Sequence, residues 1–300
     1  MLNKFYLWLT NDEPTSLWQA KFCNWYRVCI LLVTYKTTCL GLVVILLLVL
    51  IAIFASWLAP YLPDEQVLIQ RLQPMSMQHW FGTDELGRDI LSRVIYGSRY
   101  ALYVVGLVTG MVVPMGLAIG IIAGYVGGII DKILMRIIDI FLAFPKLILA
   151  LAFVAALGPG INNAIFAIIL TAWAPYARLA RAQTLSIAKS EFICAIKLQG
   201  ASNIRIVIKH ILPLCLNTII IQASLDMSGF ILAVAGLGFL GVGAQPPMPE
   251  WGAMIATGRE YILEQWWLIT FPGMAIVMVS VGFNLLGDGL RDIFDPRHHA

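Results

Sequence analysis

The sequence predicts an all-α membrane protein of six transmembrane helices with both ends in the cytoplasm. Composition is the first observation behind this. Of the 300 residues, 60% are hydrophobic and 12% are charged, whereas a soluble domain carries about 25% charged residues. The length of the apolar runs is the second. Six stretches approach the roughly 20 residues that cross a bilayer: 39–59, 101–130, 133–157, 161–177, 214–243 and 266–287. Charge asymmetry is the third. With the N-terminus inside, 14 of the 20 lysines and arginines fall on inner segments. Arg71, Arg88, Arg93, Arg99 and Arg259 fall outside, and Lys146 lies within the third span. Cations accumulate on the cytoplasmic side, so an even number of spans places both termini there.

The same numbers exclude other classes. A net charge of +3 is too small to point to nucleic acid. The five cysteines (Cys23, Cys29, Cys39, Cys194 and Cys215) are odd in number and form no CxxC pair, which argues against a disulfide framework or a zinc site. All five fall at or near the cytoplasmic half, where thiols stay reduced. No cleavable leader is evident. The apolar run 5–9 is short and meets Asn11-Asp12-Glu13-Pro14, and the run 39–59 has no small-x-small cleavage site, so it reads as a retained span.

The external segment 60–100 contains "FGTDELGRDILSRVIYGSR" at 81–99. Thr83 is placed to cap a helix with Asp84 and Glu85 in its first turn. Ile90, Leu91, Val94 and Ile95 would share a face, and Asp89 and Arg93 are spaced for an i,i+4 pair. The expectation is a short helix at the membrane surface. Residues 82–89 superficially match a phosphate-binding loop, but Arg88 and Asp89 stand where Lys and Ser/Thr belong. An acid there cannot do a hydroxyl's work on Mg²⁺ among phosphates.

In the second span Gly116, Gly120, Gly124 and Gly128 recur every four residues, a bare stripe for close helix approach. Gly106 and Gly110 form a further such pair, and Pro114 is expected to kink the helix. Charges inside spans are functional suspects. Arg136 and Asp139, one turn apart, are expected to pair or to snorkel. Lys146 and Asp226 sit deeper, where each could line a polar path, pair with a partner chain, or lie closer to an interface.

The cytoplasmic segment 178–213 ends in "ICAIKLQGASNIRIVIKHILP". Gly200 breaks one helical piece, and Ser202 or Asn203 can cap the next. There Ile204, Val207, Ile208, Ile211 and Leu212 are predicted to share an apolar face while Arg205 and Lys209 point elsewhere. Pro213 ends the segment as the fifth span begins. Two readings stand on the residues alone: a basic amphipathic helix held at the headgroups, or a docking element for a cytoplasmic protein. No catalytic set appears. His79, His210, His298 and His299 have no metal-ligand spacing, and no Ser/His/Asp order with a nucleophile elbow occurs.

Five ordered motifs resemble the inner-membrane permease subunits of binding-protein-dependent ABC importers. The closest branch is the C-type subunit of dipeptide, oligopeptide and nickel systems. The stretches are 81–93, "RIIDIFLAFP" at 136–145, 200–213, "LGFLGVGAQPPMPEWGAM" at 237–254 and "NLLGDGLRDIFDP" at 284–296. They cover the chain from about residue 80 to 296, and the first 35 or so residues match nothing of use. The family's cytoplasmic motif reads Glu-Ala-Ala, three residues, Gly, nine residues, Ile-x-Leu-Pro. Ala195, Gly200, Leu212 and Pro213 match it. Cys194, Ile196 and His210 depart, with Cys194 where the family has Glu, and Glu191 lies one turn upstream.

The resemblance implies a type I ABC importer permease (MetI-like) fold in a bacterial cytoplasmic (inner) membrane. It implies a coupling element docking on an ATPase through Cys194, Ala195, Gly200, Ala201, Ser202, Ile204, Ile208, Ile211, Leu212 and Pro213. The chain then divides into a cytoplasmic segment (1–37), a first helix with periplasmic loop (38–100), a core (101–290) with its coupling loop (178–213), and a tail (291–300). Implied partners are a second homologous permease, two cytoplasmic ABC ATPases and a periplasmic or lipid-anchored binding protein, besides membrane lipid. No cofactor or metal is expected on this chain, because ATP and Mg²⁺ would sit on the ATPases, and none of it is expected to act as an enzyme. Short peptides are the expected cargo, with nickel or a metal chelate as runner-up. Lys146 stands where the family has a small or hydroxylic residue, and would suit an anionic group if it lines the path. A self-sufficient secondary transporter is the contrasting class. It would favour an inverted repeat with broken helices meeting at mid-membrane, which the sequence does not show.

Overall fold

The computed structural model describes residues 34–294 together with Ser16, Trp18, Gln19, Cys23 and Tyr26. Most of the segment 1–37, with Cys29, and the residues 295–300, with His298 and His299, lie outside the described residues. Helix α1 (Lys36–Ile53) is followed by the single turn α2 (Ala55–Leu58) and a long external loop. Then come α3 (Ile90–Val126), α4 (Gly128–Ala143), α5 (Lys146–Leu157) and α6 (Ile161–Ala188). Helices α7 (Glu191–Leu198) and α8 (Asn203–Ile206) lead through a π turn (Val207–Ile211) into α9 (Leu212–Phe239). The chain closes with α10 (Trp251–Gly258) and α11 (Trp267–Phe294). Among the described residues, five helical segments are long and apolar enough to cross a membrane, or six if the bent pair α4–α5 is one span.

The core is a seam between α3 and α6. A Cβ at 116, 120 or 124 would come closer than 3.0 Å to Tyr176, Ala177 or Thr184 respectively, so only glycine lets these helices approach. Because the contacts advance together along both helices, the two run parallel, as the second and fourth of alternating spans must. Gly128 does not belong to the stripe. Helix α3 stops at Val126, Gly127 and Gly128 turn through positive φ, and a Cβ at 128 would meet nothing within 4 Å. Gly106 and Gly110 likewise approach nothing. A second glycine seam, unforeseen from sequence, joins α1 antiparallel to α11. There Gly41 lies against Leu286, Gly282 against Val44 and Gly289 against Thr38.

Several expectations are corrected. The helix after the external loop is no short surface element but the first turns of α3, which runs unbroken through Pro114 for 37 residues. Thr83 does not cap it. Asp89 does, accepting from the Ser92 N–H and Oγ at 2.7 Å each, and so makes no pair with Arg93. Arg93 instead approaches Asp84 at 3.7 Å and donates to the Pro63 and Pro247 carbonyls. The third span is not one rod: α4 and α5 meet at 93°, where Pro145 holds Phe144 extended. Arg136 and Asp139 are not paired, because Asp139 pairs across to Arg178 at 2.5 Å. Nor does Pro213 end a helix. The helix continues from Asn203 to Phe239, and the wider π turn just before Pro213 accommodates the missing N–H and the ring.

Contacts also sort the loops into two groups. Arg99 donates to the Ala52 carbonyl, Tyr103 to Asn162, and Arg93 to Pro63 and Pro247. At the opposite end Arg181 meets Asp131 and Tyr125 donates to Asn203. These are the two sides that the cation count assigns as outside and cytoplasm.

Candidate functional site

On the cytoplasmic side α7 is flanked by Ser190 before it and Gln199 after it, and Gly200 follows with φ +81. An L side chain rarely adopts that conformation, so glycine turns the chain here at little cost. Ser202 then caps α8, accepting from the Arg205 N–H at 3.4 Å. Asn203, the other candidate cap, instead accepts from the Tyr125 hydroxyl at 2.8 Å. The piece is anchored from below. Ile193, Ile206, Ile211 and Cys215 are fully buried in the α3–α6 core. The predicted single apolar face is therefore split: Ile211 faces the protein with Ile206, while Ile204 and Ile208 face away.

The uncovered side chains include several large apolar ones. Leu198 is 90% exposed, Ile204 72% and Ile208 56%, with Phe192 and Ala195 beside them. Cys194 and Pro213 are exposed, and Ala201 and Leu212 half-buried. Lys197, Arg205 and Lys209 are exposed on the same segment, the Lys197 ammonium standing 5.2 Å from the Tyr125 ring centre. Exposed apolar side chains set among cations are the composition of an interaction surface.

The sequence treated Lys146 and Asp226 separately, but the structure brings both to one cavity of about 110 Å³ between α5, α6 and α9. Its depth follows from helix lengths. The 12 residues of α5 rise about 18 Å, roughly half of a 30 Å hydrocarbon core. Lys146 is at the inner end of that half-helix. Ile168 and Thr171 of α6 and Phe230 of α9 complete the walls, and Asp226 falls at the middle of α9's 28 residues. Lys146 thus opens a helix about half a span long, and Asp226 lies midway along α9.

The external motif 81–93 is a closed ionic cage. His79 Nδ1 and Asp89 Oδ1 lie 2.9 Å apart, and His79 Nε2 is 3.0 Å from Gln70 Oε1. Asp84 accepts from the Leu86 and Arg88 N–H groups at 2.9 Å each and from Arg88 Nε at 2.6 Å. Arg88 and Asp89 are only 4% and 3% exposed. Their bonds are spent inside the loop, which leaves no cradle for a phosphate. Burial, with Asp84 nearby, pushes the Glu85 carboxyl above its ordinary range, and Arg88 draws it partly back. The motif 237–254 closes on the same side. Glu250 caps α10 through the Gly252 and Ala253 N–H groups, and the Trp251 indole donates to the Val94 carbonyl at 3.1 Å. Burial pushes Glu250 up as well, against the pull of those two N–H bonds.

The geometry is that of a helical membrane protein with a third span broken at 93° and apolar side chains exposed on its cytoplasmic side. Comparison narrows the class. Residues 116–299 match the binding-protein-dependent transport system inner membrane component family, and residues 32–74 match the N-terminal transmembrane domain of oligopeptide transport permease C. The chain belongs to the binding-protein-dependent transport system inner membrane component family. It is 51% identical over 268 residues to the dipeptide transport system permease protein of Escherichia coli strain K12, covering 87% of this chain and 89% of that one. It is 46% identical over 255 residues to the probable D,D-dipeptide transport system permease protein of the same strain, covering 85% and 86%. It is 43% identical over 263 residues to the di/tripeptide transport system permease protein of Pseudomonas aeruginosa strain UCBPP-PA14, covering 86% and 87%. The chain is an inner-membrane permease subunit of an ABC importer.

Proposed function

We propose that this chain forms half of a pathway that carries dipeptides and other short peptides inward, driven by cytoplasmic ATPases that dock at 193–213. The observation that carries this reading is the exposed set Leu198, Ile204 and Ile208 on a piece anchored by Ile193, Ile206 and Ile211. A movement of a docked partner would pass directly to α9, because α8, the π turn and α9 are one continuous helix. The peptide names of three relatives, at 43–51% identity, favour peptides over nickel. The remaining partners are a second homologous permease and a periplasmic or lipid-anchored binding protein. ATP and Mg²⁺ belong to the ATPases, and no cofactor to this chain. The division proposed for the chain is a cytoplasmic segment 1–37, a helix with periplasmic loop 38–100, a core 101–290 and a tail 291–300. Lys146 and Asp226 line the path.

Co-expression with candidate partners, followed by purification and reconstitution in liposomes, tests the reading. Dipeptide uptake that requires ATP and the co-purified ATPases is the expected result. Uptake by this chain alone, without ATPases, would instead make it a secondary transporter.

A further inference from the structure

We infer that the cavity between α5, α6 and α9 reads the two charged ends of a short peptide, Lys146 taking the carboxylate and Asp226 the ammonium group. The inference deepens the peptide reading above and depends on it. Charge within a membrane span is costly and persists where it is paired or lines a water-filled cavity. Lys146 and Asp226 line the same cavity, yet among the described residues no ion pair includes either one. Two opposite charges that share a cavity without neutralising each other leave it dipolar and neutral overall. That suits a zwitterion better than a bare cation or a simple anion.

Local structure sharpens each pole. Lys146 is the first residue of α5, whose N-terminus has no side-chain cap. The free N–H groups and the positive end of the helix thus add to the ammonium. At the other pole the Tyr176 hydroxyl is buried without a hydrogen bond of good geometry, yet lies beside Asp226. Thr171 spends its proton on the Ile168 carbonyl at 3.1 Å, so its oxygen is left as an acceptor. The rest of the wall, with Ala150 and Phe230, is apolar, which strengthens charge-assisted bonds to a bound peptide end. Gly229 opens on the cavity, and a Cβ there meets nothing within 4 Å.

The test uses the transporter assembled with its partner subunits. In one arm Gly229→Cys is labelled with a maleimide, against a parent without that cysteine, in the presence of Ala-Ala or of N-acetyl-Ala-Ala-amide. Ala-Ala should slow labelling and the blocked peptide should not. Adding Lys146→Met or Asp226→Asn should abolish the protection. In the second arm, ATP-dependent Ala-Ala uptake into liposomes should fall about 10-fold in each variant, the size of one lost charge-assisted bond, while the subunits still co-purify. Equal protection by both peptides, or unchanged uptake in both variants, overturns the inference alone. Loss of co-purification also overturns it, by making the residues part of a subunit interface. No dipeptide uptake by the unsubstituted transporter removes the peptide reading and the inference together.

Discussion

The external loop and the cytoplasmic loop are both marked by family motifs, but they are built on opposite principles. In the external motif the buried charged groups are bonded within the fold: His79 to Asp89, Asp84 to Arg88, and Arg93 to the Pro63 and Pro247 carbonyls. In the cytoplasmic loop the charges of Lys197, Arg205 and Lys209 face outward among exposed Leu198, Ile204 and Ile208. A segment that must hold a shape satisfies its polar groups internally, because a buried group left without a partner is expensive. A segment that another protein must grip keeps apolar surface uncovered until the partner arrives. The contrast teaches that a conspicuous charge pattern does not reveal whether a segment buries its charges or leaves apolar surface exposed.

The largest expected effect is in the cage. Asp89→Ala strands His79, the Ser92 N–H and the Ser92 hydroxyl in a buried site. It should cost about 3–5 kcal/mol, read as a lower melting temperature of the purified protein and faster proteolysis between residues 60 and 89. Gly120→Val comes next. Its side chain would strike the Ala177 carbonyl and Ala180, costing about 1–3 kcal/mol as the α3–α6 seam opens. An unchanged melting temperature would mean that the seam is looser than the geometry states.

Gly200→Val tests the other loop. Nothing lies within 4 Å of a Cβ there, so only the positive φ is penalised, by about 1–2 kcal/mol. The chain should remain in the membrane while ATP hydrolysis continues without matching uptake. Normal uptake by that variant would count against the coupling role. Ile204→Asp with Ile208→Asp should change stability by less than about 0.5 kcal/mol, yet weaken co-purification with ATPases. If both variants lower the melting temperature as Asp89→Ala does, the contrast between the loops collapses.

The smallest effect is a pH dependence. The folded Glu85 carboxyl binds its proton more tightly than the unfolded one does. Its contribution is therefore most favourable below the unfolded pKa and declines as pH rises through the raised folded value. Relative to Glu85→Gln, the unsubstituted protein should lose melting temperature across that rise. A difference that does not vary with pH would place Glu85 in water.

Much of this was legible in the residues and some was not, for identifiable reasons. The Gly116, Gly120 and Gly124 spacing reported a close approach because small residues in register have few other uses in a span. Gly128 looked identical in spacing and was not, since spacing does not reveal that a helix ends at Val126. The Asp89–Arg93 pairing failed because i,i+4 spacing states what is within reach, while Ser92 and His79 competed for the same carboxylate. The Gly41–Gly282–Gly289 seam was missed because its members lie at opposite ends of the chain and show no local period. His79 shows no metal-ligand spacing in the sequence and is instead a member of the cage. Its partner Asp89 lies ten residues on, across a turn, where no periodicity points.

Hydrophobic run length, cation placement and motif order were sufficient for the membrane class, the span count and the side on which each loop lies. All of these are additive properties of a one-dimensional chain in a layered solvent. The tertiary fold alone settled where the third span breaks, which of the isoleucines near Gly200 are anchors and which are exposed, and that Lys146 and Asp226 line one cavity. Those depend on which helix faces pack together. Packing is a competition among contacts distant in sequence, won by the arrangement that buries the most apolar surface while leaving the fewest polar groups unpaired.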